Sequence, residues 1–349
     1  WYNQLFTEFA SQDIESEYYY RYAQTLKNIG DDTNANIYLS KFTEANSNSE
    51  RAKIIKADKD YMSEIKNNSG RYVIQDAKIN SQYSDYGSSF YNNQVLFTTA
   101  RDTGNFTKRI HTWTGDAFTD IYAANIQEDG TLANPRKFSS KITTKFNEAT
   151  PVITKDGKTM YFTRNNYNDG VRGRDGKRNT LLKIYRAELV NDVWTNVTEL
   201  PFNSDDFNTA HPVLNKDENI LYFVSDRPGG YGESDIWKVV ILKNGFGKPV
   251  NLGNQINTDG RETFPFMTVN DELYFATDGR PGLGGLDVFV SKFRPDGTYT
   301  KPQNVGTPIN SKSDDFGFII NTDNQLGYFS SNRIDGHGKD DIYALKQNR

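Results

Sequence analysis

The first 68 residues place apolar side chains at the spacing of a helix. These side chains recur three or four positions apart, at Leu5, Phe6, Phe9, Tyr18, Tyr22, Leu26, Ile37, Tyr38, Phe42, Ile54, Ile55, Met62 and Ile65. The stretch has no proline, and its single glycine, Gly30, precedes Asp31, which is typical of one helix ending and the next being capped. The pattern predicts a helical segment over residues 1–69.

From about residue 70 the pattern changes to short alternating strands separated by Gly, Asn and Asp. One strand ending recurs five times, 52 to 65 residues apart, at Phe97, Phe162, Phe223, Phe275 and Phe329. A charged residue, a β-branched residue and an aromatic residue follow each of them, at 120–122, 183–185, 235–237, 287–289 and 341–343. Five such units predict an all-β five-bladed propeller, with a six-bladed ring as the alternative if the long loops hide another blade.

The two ends of this second segment complement each other. The first four units end in a short strand signal that the fifth lacks, and the matching piece occurs before the first unit, at 72–74 and 79–81. We therefore expect residues 71–83 to supply the strand that completes the last blade, which removes an open sheet edge. The predicted class is an α+β multidomain protein, with the helical segment at 1–69 and the propeller at 70–349.

Composition excludes several classes of function. The chain carries 41 Lys and Arg against 45 Asp and Glu, a net charge of −4, which leaves no basic field for a nucleic acid. With no cysteine and three isolated histidines, neither a metal site nor a cofactor is expected. No stretch approaches the ~18–20 apolar residues of a membrane span. No catalytic set is expected, because the G-x-S-x-G motif is absent and no histidine has a partner motif.

The loops inside the later repeats have a glycine-rich pattern. The segment at 225–237 reads SDRPGGYGESDIW, and the segments at 277–287 and 331–341 are variants of it. Glycine and proline suit tight turns, and Arg227 is spaced to reach Asp235 across the hairpin. We expect a structural role for the arginine and the aspartate of each turn: Arg227, Asp235, Arg280, Asp287, Arg333 and Asp341.

These turn sequences resemble the WD40-like β-propeller repeat of TolB-type and bacteroidete outer-membrane-associated proteins. The helical run at 19–39 resembles a tetratricopeptide (TPR) helix pair. The order of the two is similar to PorE-like, OmpA-family periplasmic proteins of the bacteroidete type IX secretion and gliding system. That resemblance implies a non-enzymatic scaffold in the periplasm, associated with the outer membrane. Its partners would be proteins of that machinery, and peptidoglycan only through a domain that this chain lacks.

One position of the repeat is acidic in four of five units. Alignment on the strand endings places Asp85, Glu148, Thr209, Glu262 and Asp315 at this position. They could ring one mouth of the channel and favour a cation or a basic peptide, or they could cap turns. Glu148 and Glu262 could be imagined as a glycosidase pair, but an acid repeated by symmetry suits a scaffold better. The alternative function is therefore a carbohydrate-binding or glycan-hydrolysing propeller.

Two insertions are candidate partner-binding loops. The first carries Arg109, His111 and Trp113, which combine basic and aromatic character in a loop that the repeat does not require. The second is a glycine-spaced basic loop that would suit an acidic protein surface or a glycan. Its basic residues are Arg172, Arg174, Lys177 and Arg178.

Overall fold

The computed structural model describes residues 1–10, 12–57, 61–101, 110 and 115–348. Its helices all lie in the N-terminal segment: α1 (Tyr2–Glu8), α2 (Glu17–Asn28), α3 (Asp32–Ala45), α4 (Glu50–Ala57) and α5 (Tyr61–Asn68). Gly30 has a φ of 80°, and the Asp31 side chain accepts a hydrogen bond from Asn34 N–H, so the predicted break between α2 and α3 is confirmed. No helix among the described residues is long and apolar enough to cross a membrane.

The rest of the described chain is β-structure. A first strand, β1 (Tyr72–Asp76), precedes the repeats. Blade 1 contains β2 (Asp85–Tyr91), β3 (Gln94–Thr99), β4 (Asp120–Ile126) and β5 (Leu132–Lys137). Blade 2 contains β6 (Glu148–Ile153), β7 (Thr159–Asn165), β10 (Leu182–Val190) and β11 (Val193–Glu199), with an inserted hairpin of β8 (Tyr167–Asn168) and β9 (Val171–Arg172).

The remaining blades repeat this arrangement. Blade 3 contains β12 (Thr209–Leu214), β13 (Ile220–Ser225), β14 (Asp235–Leu242), β15 (Gly245–Phe246) and β16 (Val250–Asn251). Blade 4 contains β17 (Glu262–Met267), β18 (Glu272–Thr277), β19 (Asp287–Lys292) and β20 (Gln303–Asn304). Blade 5 contains β21 (Asp315–Ile320), β22 (Leu326–Ser331) and β23 (Asp341–Gln347), and β1 is its fourth strand.

The ring closes as the sequence predicts. Strand β1 pairs antiparallel with β23, from Tyr72 opposite Gln347 to Asp76 opposite Tyr343. The Asn80 side chain then bonds both backbone groups of Ile342, at 2.8 Å each. The first strand of every blade touches its counterparts in the two neighbouring blades, so that β2, β6, β12, β17 and β21 form a closed inner ring. The fold is a five-bladed β-propeller, and the six-bladed alternative is wrong.

The landmark phenylalanines form the core between the blades. All five are at most 1% exposed: Phe97, Phe162, Phe223, Phe275 and Phe329. They sit in the second strand of each blade, where neighbouring sheets pack on both faces, so these strands are nearly continuous apolar runs rather than alternating ones. Burying five such rings is a large apolar contribution to the stability of the ring.

The helical segment packs against the propeller rather than standing alone. The Tyr20 hydroxyl donates to the Asp278 carbonyl, and Lys27 Nζ donates to the Gly282 carbonyl at 3.2 Å. Arg51 is 2% exposed and places Nη1 2.9 Å from Glu17 Oε2 and Nη2 3.8 Å from Asp278 Oδ1. A short helical block cannot bury its own apolar face, and here the glycine-rich turns of blades 3 and 4 cover part of it.

The turn hairpins differ from the prediction in one respect. Asp235 accepts hydrogen bonds from the N–H groups of Tyr231 (2.6 Å) and Gly232 (3.2 Å), not from Arg227. The turn folds back on its own carboxylate because Gly229 adopts a φ of 89° and Gly230 has no Cβ to collide with Asp235. The predicted contact between the arginine and the aspartate of one turn is therefore wrong.

Candidate functional site

The acids predicted for the channel rim are turned into the protein. The five residues at this position are at most 1% exposed. Each acid accepts a backbone and a hydroxyl hydrogen bond from the residue four positions earlier, in the pairs Ser81–Asp85, Thr144–Glu148, Thr258–Glu262 and Ser311–Asp315. These contacts are those of the turn-capping alternative. Their oxygens are occupied within the fold, which leaves Glu148 and Glu262 poorly placed as a glycosidase pair.

An arginine supplies the countercharge to most of these acids. Arginine-to-carboxylate distances are 2.7 Å for Arg101–Asp85, 2.9 Å for Arg164–Glu148 and 3.0 Å for Arg333–Asp315. In blade 4, burial raises the pKa of Glu262 to about 7 although Arg280 and two threonine hydroxyls oppose the shift. The repeat arginine therefore serves the acid at the start of the inner strand, not the aspartate of its own turn.

Blade 3 lacks the acid. Thr209 occupies the position, and Arg227 Nη2 donates to its hydroxyl at 3.3 Å. Burial lowers the pKa of Arg227 to about 10, and the guanidinium lies 4.8 Å from the ring centres of Phe207 and Phe223. Aromatic faces replace the carboxylate as partners of this cation.

Two residues after the acid, every inner strand contains a bulge with a positive φ. The angles are 67° at Gly87, 43° at Thr150, 54° at His211, 46° at Phe264 and 61° at Gly317. Strand register shifts at this point in all five blades. Thr, His and Phe are costly in this conformation, and strain of this kind concentrates at functional sites.

The bulge residues make one side of the axis polar. Thr150 N–H donates to Thr98 Oγ1 at 3.0 Å, and His211 N–H donates to Thr163 Oγ1 at 2.9 Å. His211 Nδ1 lies 3.3 Å from Thr150 Oγ1. Burial lowers the pKa of His211 to about 4, so its imidazole is neutral at pH 7.

The other side of the axis is aromatic. The Phe264 ring stacks on His211 with a centroid distance of 4.0 Å and packs on Phe316 at 4.8 Å. Tyr86 completes the group, 6.1 Å from Phe264 and 6.2 Å from Phe316. This layer of rings divides the channel, since His211 and Phe264 line a cavity on either side.

We call the space at the starts of the inner strands the upper cavity and the space at their ends the lower cavity. The upper cavity has a volume of about 440 Å³. Its floor is the ring layer, and its polar lining residues include Ser84, Asp116, Thr119, Asn147 and Asp340. An apolar floor with a few converging polar groups is the usual composition of a small-ligand site.

The two carboxylates of the upper cavity lie in unequal environments. Burial raises the pKa of Asp340; a hydrogen bond with Ser84 opposes this shift, and the nearby acids Asp314, Asp341 and Asp85 add to it. The carboxylate of Asp116 instead lies 2.5 Å from Lys339 Nζ, with which it forms an ion pair. A carboxyl whose pKa is raised by burial and a second carboxyl paired with a lysine form the kind of unequal pair that acid–base chemistry needs.

Sequence reasoning missed both of these acids. Asp340 precedes the landmark Asp341, and the equivalent residues of blades 1 to 4 are Thr119, Leu182, Ser234 and Leu286. An acid that occurs in only one repeat was therefore a usable signal in the sequence. The prediction instead followed the position that is acidic in four of the five repeats. Asp116 lies in the irregular first loop, where repeat alignment gives no guidance.

Of the two predicted partner-binding loops, the structure describes the second but not the basic and aromatic residues of the first. Arg109, His111 and Trp113 lie outside the described residues. Arg172 is exposed, with its guanidinium 5.1 Å from the ring centre of Phe146, the residue before Asn147 of the upper cavity. Arg174, Lys177 and Arg178 are exposed on the loop after β9. Among the described residues, no group of three or more His, Cys, Asp or Glu could hold a metal ion.

Comparison with known proteins bears on the fold. No protein-family model matches the sequence, and no curated protein matches it. A family 117 glycoside hydrolase, Zg3597 from Zobellia galactanivorans, aligns with 13% identity and a TM-score of 0.48 over 81% of this chain and 91% of that chain. CoXyl43, a GH43 β-xylosidase/α-arabinofuranosidase from a compost metagenome, aligns with 9% identity and a TM-score of 0.47 over 78% and 93%.

A puromycin-hydrolysing peptidase of Mycobacterium tuberculosis also aligns, with 17% identity and a TM-score of 0.36 over 70% of this chain. This chain spans about a third of the peptidase, 32% of its length. Similarities at these identities concern the fold alone, and the class of this chain, a five-bladed β-propeller, is defined by its own sheets.

The main functional expectation needs correction. A non-enzymatic scaffold of secretion or gliding machinery is contradicted by the neighbours, which are glycoside hydrolases and a peptidase. The expectation that the chain is not an enzyme is contradicted by the same finding. The alternative, a carbohydrate-binding or glycan-hydrolysing propeller, agrees better with these neighbours.

Proposed function

We propose that this propeller binds a glycan in the upper cavity and hydrolyses a glycosidic bond there. The observation that carries the proposal is the pair Asp116 and Asp340, two carboxylates in unequal environments above an aromatic floor. Unlike the repeated acids, Asp340 has no acidic counterpart in the other blades. Catalysis requires this kind of inequality, whereas scaffold symmetry does not produce it.

The floor and the walls suit different parts of a sugar. The faces of Tyr86, Phe264 and Phe316 offer apolar surface for the C–H groups of a pyranose or furanose ring. Asn147 and Thr119 also line the cavity; Thr119 Oγ1 donates to Asn147 Oδ1 at 3.2 Å, so a sugar hydroxyl would have to share or replace this bond. A cavity of about 440 Å³ has room for one or two sugar units.

The two carboxylates divide the proton transfers. Asp340, with its raised pKa, donates a proton to the glycosidic oxygen as the bond to the anomeric carbon breaks. Asp116, paired with Lys339, accepts a proton from the water that attacks this carbon. One proton is given and one is taken, so the pair returns to its starting state after proton exchange with solvent.

The test is hydrolysis of a panel of aryl glycosides, with binding of the matching free sugars measured by calorimetry. In Asp340→Asn we expect at least a ~100-fold loss of kcat with sugar affinity changed by less than about threefold, because the amide keeps the shape and lacks the acidic proton. The matched control is Asp335→Asn, an exposed acid in the same loop, which should retain activity. Sugar binding without turnover would contradict hydrolysis, and no binding would contradict the site itself.

We also propose that the chain has the two finer resemblances noted in its sequence, to the WD40-like repeat and to the TPR helix pair, each on separate evidence. The turn sequences support membership of the WD40-like TolB-type repeat class, and the pairing of α2 with α3 supports a TPR-like unit. A periplasmic location with protein partners at the outer membrane is the corresponding proposal. Fractionation of the source cells with an antibody to the chain tests it, and recovery with cytoplasmic markers would contradict it.

A further inference from the structure

The lower cavity is a second space on the same axis, open at one end, and the glycan proposal does not use it. It has a volume of about 230 Å³. Its walls are mainly apolar side chains from the ends of the inner strands, among them Phe90, Val152, Val213, Phe266 and Met267. A dry apolar cavity of about 150 Å³ is enough to hold benzene, so this space can hold a ring with a substituent.

The backbone of the lower cavity offers few hydrogen-bond donors. Pro151, Pro212 and Pro265 each follow a bulge residue and line the cavity. Proline has no N–H, so three of the five equivalent positions contribute only carbon surface and a carbonyl. A polar ligand such as a sugar would lose its hydrogen bonds with water on entering, and an apolar ligand would not.

The other two equivalent positions are Phe318, which is apolar, and Ser88, which is the polar one. Its side chain lines the cavity, the residue is 8% exposed, and its Oγ has no hydrogen-bond partner among the described residues. A buried hydroxyl without a partner costs about 1–3 kcal/mol. A ligand with one polar group at its inner end would satisfy it.

The charged side chains at the open end are each hydrogen-bonded or ion-paired within the protein. Lys155 Nζ donates to the Lys216 carbonyl at 2.6 Å, and Lys155 N–H donates to Glu218 at 2.6 Å. Lys216 Nζ lies 3.0 Å from Asp271 Oδ2. Lys155, Lys216, Glu218 and Asp271 carry two positive and two negative charges, so the mouth has no net charge that would attract an anion or a cation, and a neutral ligand fits it best.

We propose that the lower cavity is a binding site for a small neutral aromatic molecule bearing one hydroxyl, with the ring between the apolar strand ends and the hydroxyl on Ser88. The ring layer of His211 and Phe264 closes its inner end, so this ligand and a glycan in the upper cavity occupy separate sites. The proposal does not depend on the glycan proposal, and either can fail alone.

The probes are phenol and benzene, with glucose as the polar comparison. In the full chain labelled with [¹³C-methyl]methionine, we expect phenol and benzene to shift the Met267 resonance, because this residue lines the cavity. Met160 packs in a different core cluster and Met62 lies on a helix, so their resonances should stay in place. Glucose should shift none of the three.

The Ser88→Ala variant tests the hydroxyl. We expect its affinity for phenol to fall about fivefold to tenfold, the value of one hydrogen bond, while its affinity for benzene changes less than twofold. Removing an unpartnered hydroxyl should not harm folding, so this comparison can be made on native protein. Equal loss for both probes, or no loss for either, would overturn the role of Ser88. Unchanged Met267 resonances at saturating benzene would overturn the site.

Discussion

Two positions on the inner strands, only two residues apart, follow opposite rules. At the first, four of five blades carry an acid, and each acid has the same cap from the residue four positions earlier. At the second, the blades carry Gly, Thr, His, Phe and Gly in the same left-handed conformation. The repeated position builds the ring. The varied position shapes the space along its axis, and there the blades become distinguishable to a ligand.

The difference has a physical origin. A buried acid with an arginine and two capping bonds is difficult to change one partner at a time, because each change leaves a buried charge or donor unpaired. The bulge requires only its backbone conformation, which glycine adopts freely and other residues adopt at about 1–3 kcal/mol. Side chains at the bulge position can vary as long as the surrounding sheet holds the backbone in its left-handed conformation.

The largest expected effect comes from breaking the repeated position. Arg164 and Glu148 are both at most 2% exposed and form a 2.9 Å pair, so Arg164→Ala should lower the free energy of unfolding by about 3–5 kcal/mol. The control is Arg186→Ala in the same blade, whose pair with Glu188 is more than a third exposed and should cost under about 1 kcal/mol. Urea unfolding measures both. Equal losses would mean that the repeated acids do not hold the ring together.

The next effect concerns the varied position. Phe264→Ala removes the ring that stacks on His211 and packs on Phe316, and since Phe264 is only half-buried we expect a loss of about 2 kcal/mol. Water should then reach His211. Because burial alone lowers the pKa of His211, we expect its pKa to rise from about 4 toward its ordinary value.

The measurement is an NMR titration of the His211 ring protons in the native protein and in Phe264→Ala. Phe264→Leu is the matched control, since it keeps most of the apolar volume and should leave the pKa low. A low pKa of His211 in the alanine variant would show that Phe264 is not the group that keeps water away from the His211 ring.

The sequence predicted the structural features that recur in every blade. It did not predict which side chains face the axis of the propeller. The spacing of the phenylalanines and the pieces at 72–74 and 79–81 were enough for the blade number and the closure, because repetition makes each landmark check the others. It did not reveal that Asp340 lines the upper cavity, because that depends on the bulge and on packing between blades. The contact of Tyr20 with Asp278 joins segments that no local pattern relates.

The pairing of Arg227 with Asp235 shows a different limit. The spacing suits a hairpin contact, but the carboxylate bonds the amides of its own turn, and the arginine reaches the start of the inner strand instead. Both residues had several reachable partners, and spacing alone could not rank them. In the structure the turn amides and Asn251 satisfy Asp235, while Arg227 donates to the Phe202 carbonyl and the Thr209 hydroxyl.

A smaller effect is the response of stability to pH. Burial raises the pKa of Glu262 and of Asp287 to about 7, so below pH 7 the folded protein holds protons that the unfolded chain releases. This stability is complete below the unfolded pKa values and is lost as pH rises through 7. His211 acts oppositely, but only between about pH 4 and 6.5. From pH 6.5 to 8 we therefore expect the free energy of unfolding to fall by about 1 kcal/mol or more.

Urea unfolding at pH 6.5 and at pH 8 tests this response. Glu262→Gln should reduce the difference between the two values, and Glu128→Gln, which alters an exposed acid, should not. Stability that rises over this interval would mean that the capped acids stay ionised in the folded protein.

The smallest effect restores the repeated position where it is missing. Thr209→Asp gives Arg227 the carboxylate that the repeat arginines of blades 1 and 5 have, with the desolvation of the new acid offsetting part of the gain. We expect stabilisation of under about 1 kcal/mol, together with titration of Arg227 at higher pH, since its pKa of about 10 reflects burial with only Asp226 as a nearby charge. Thr198→Asp on β11 is exposed and should change stability by less than about 0.5 kcal/mol. If Thr209→Asp destabilises the protein more than this control does, the aromatic faces around Arg227 are its required partners. Blade 3 would then differ from the other blades because its core is packed differently, and not only because it lacks the acid.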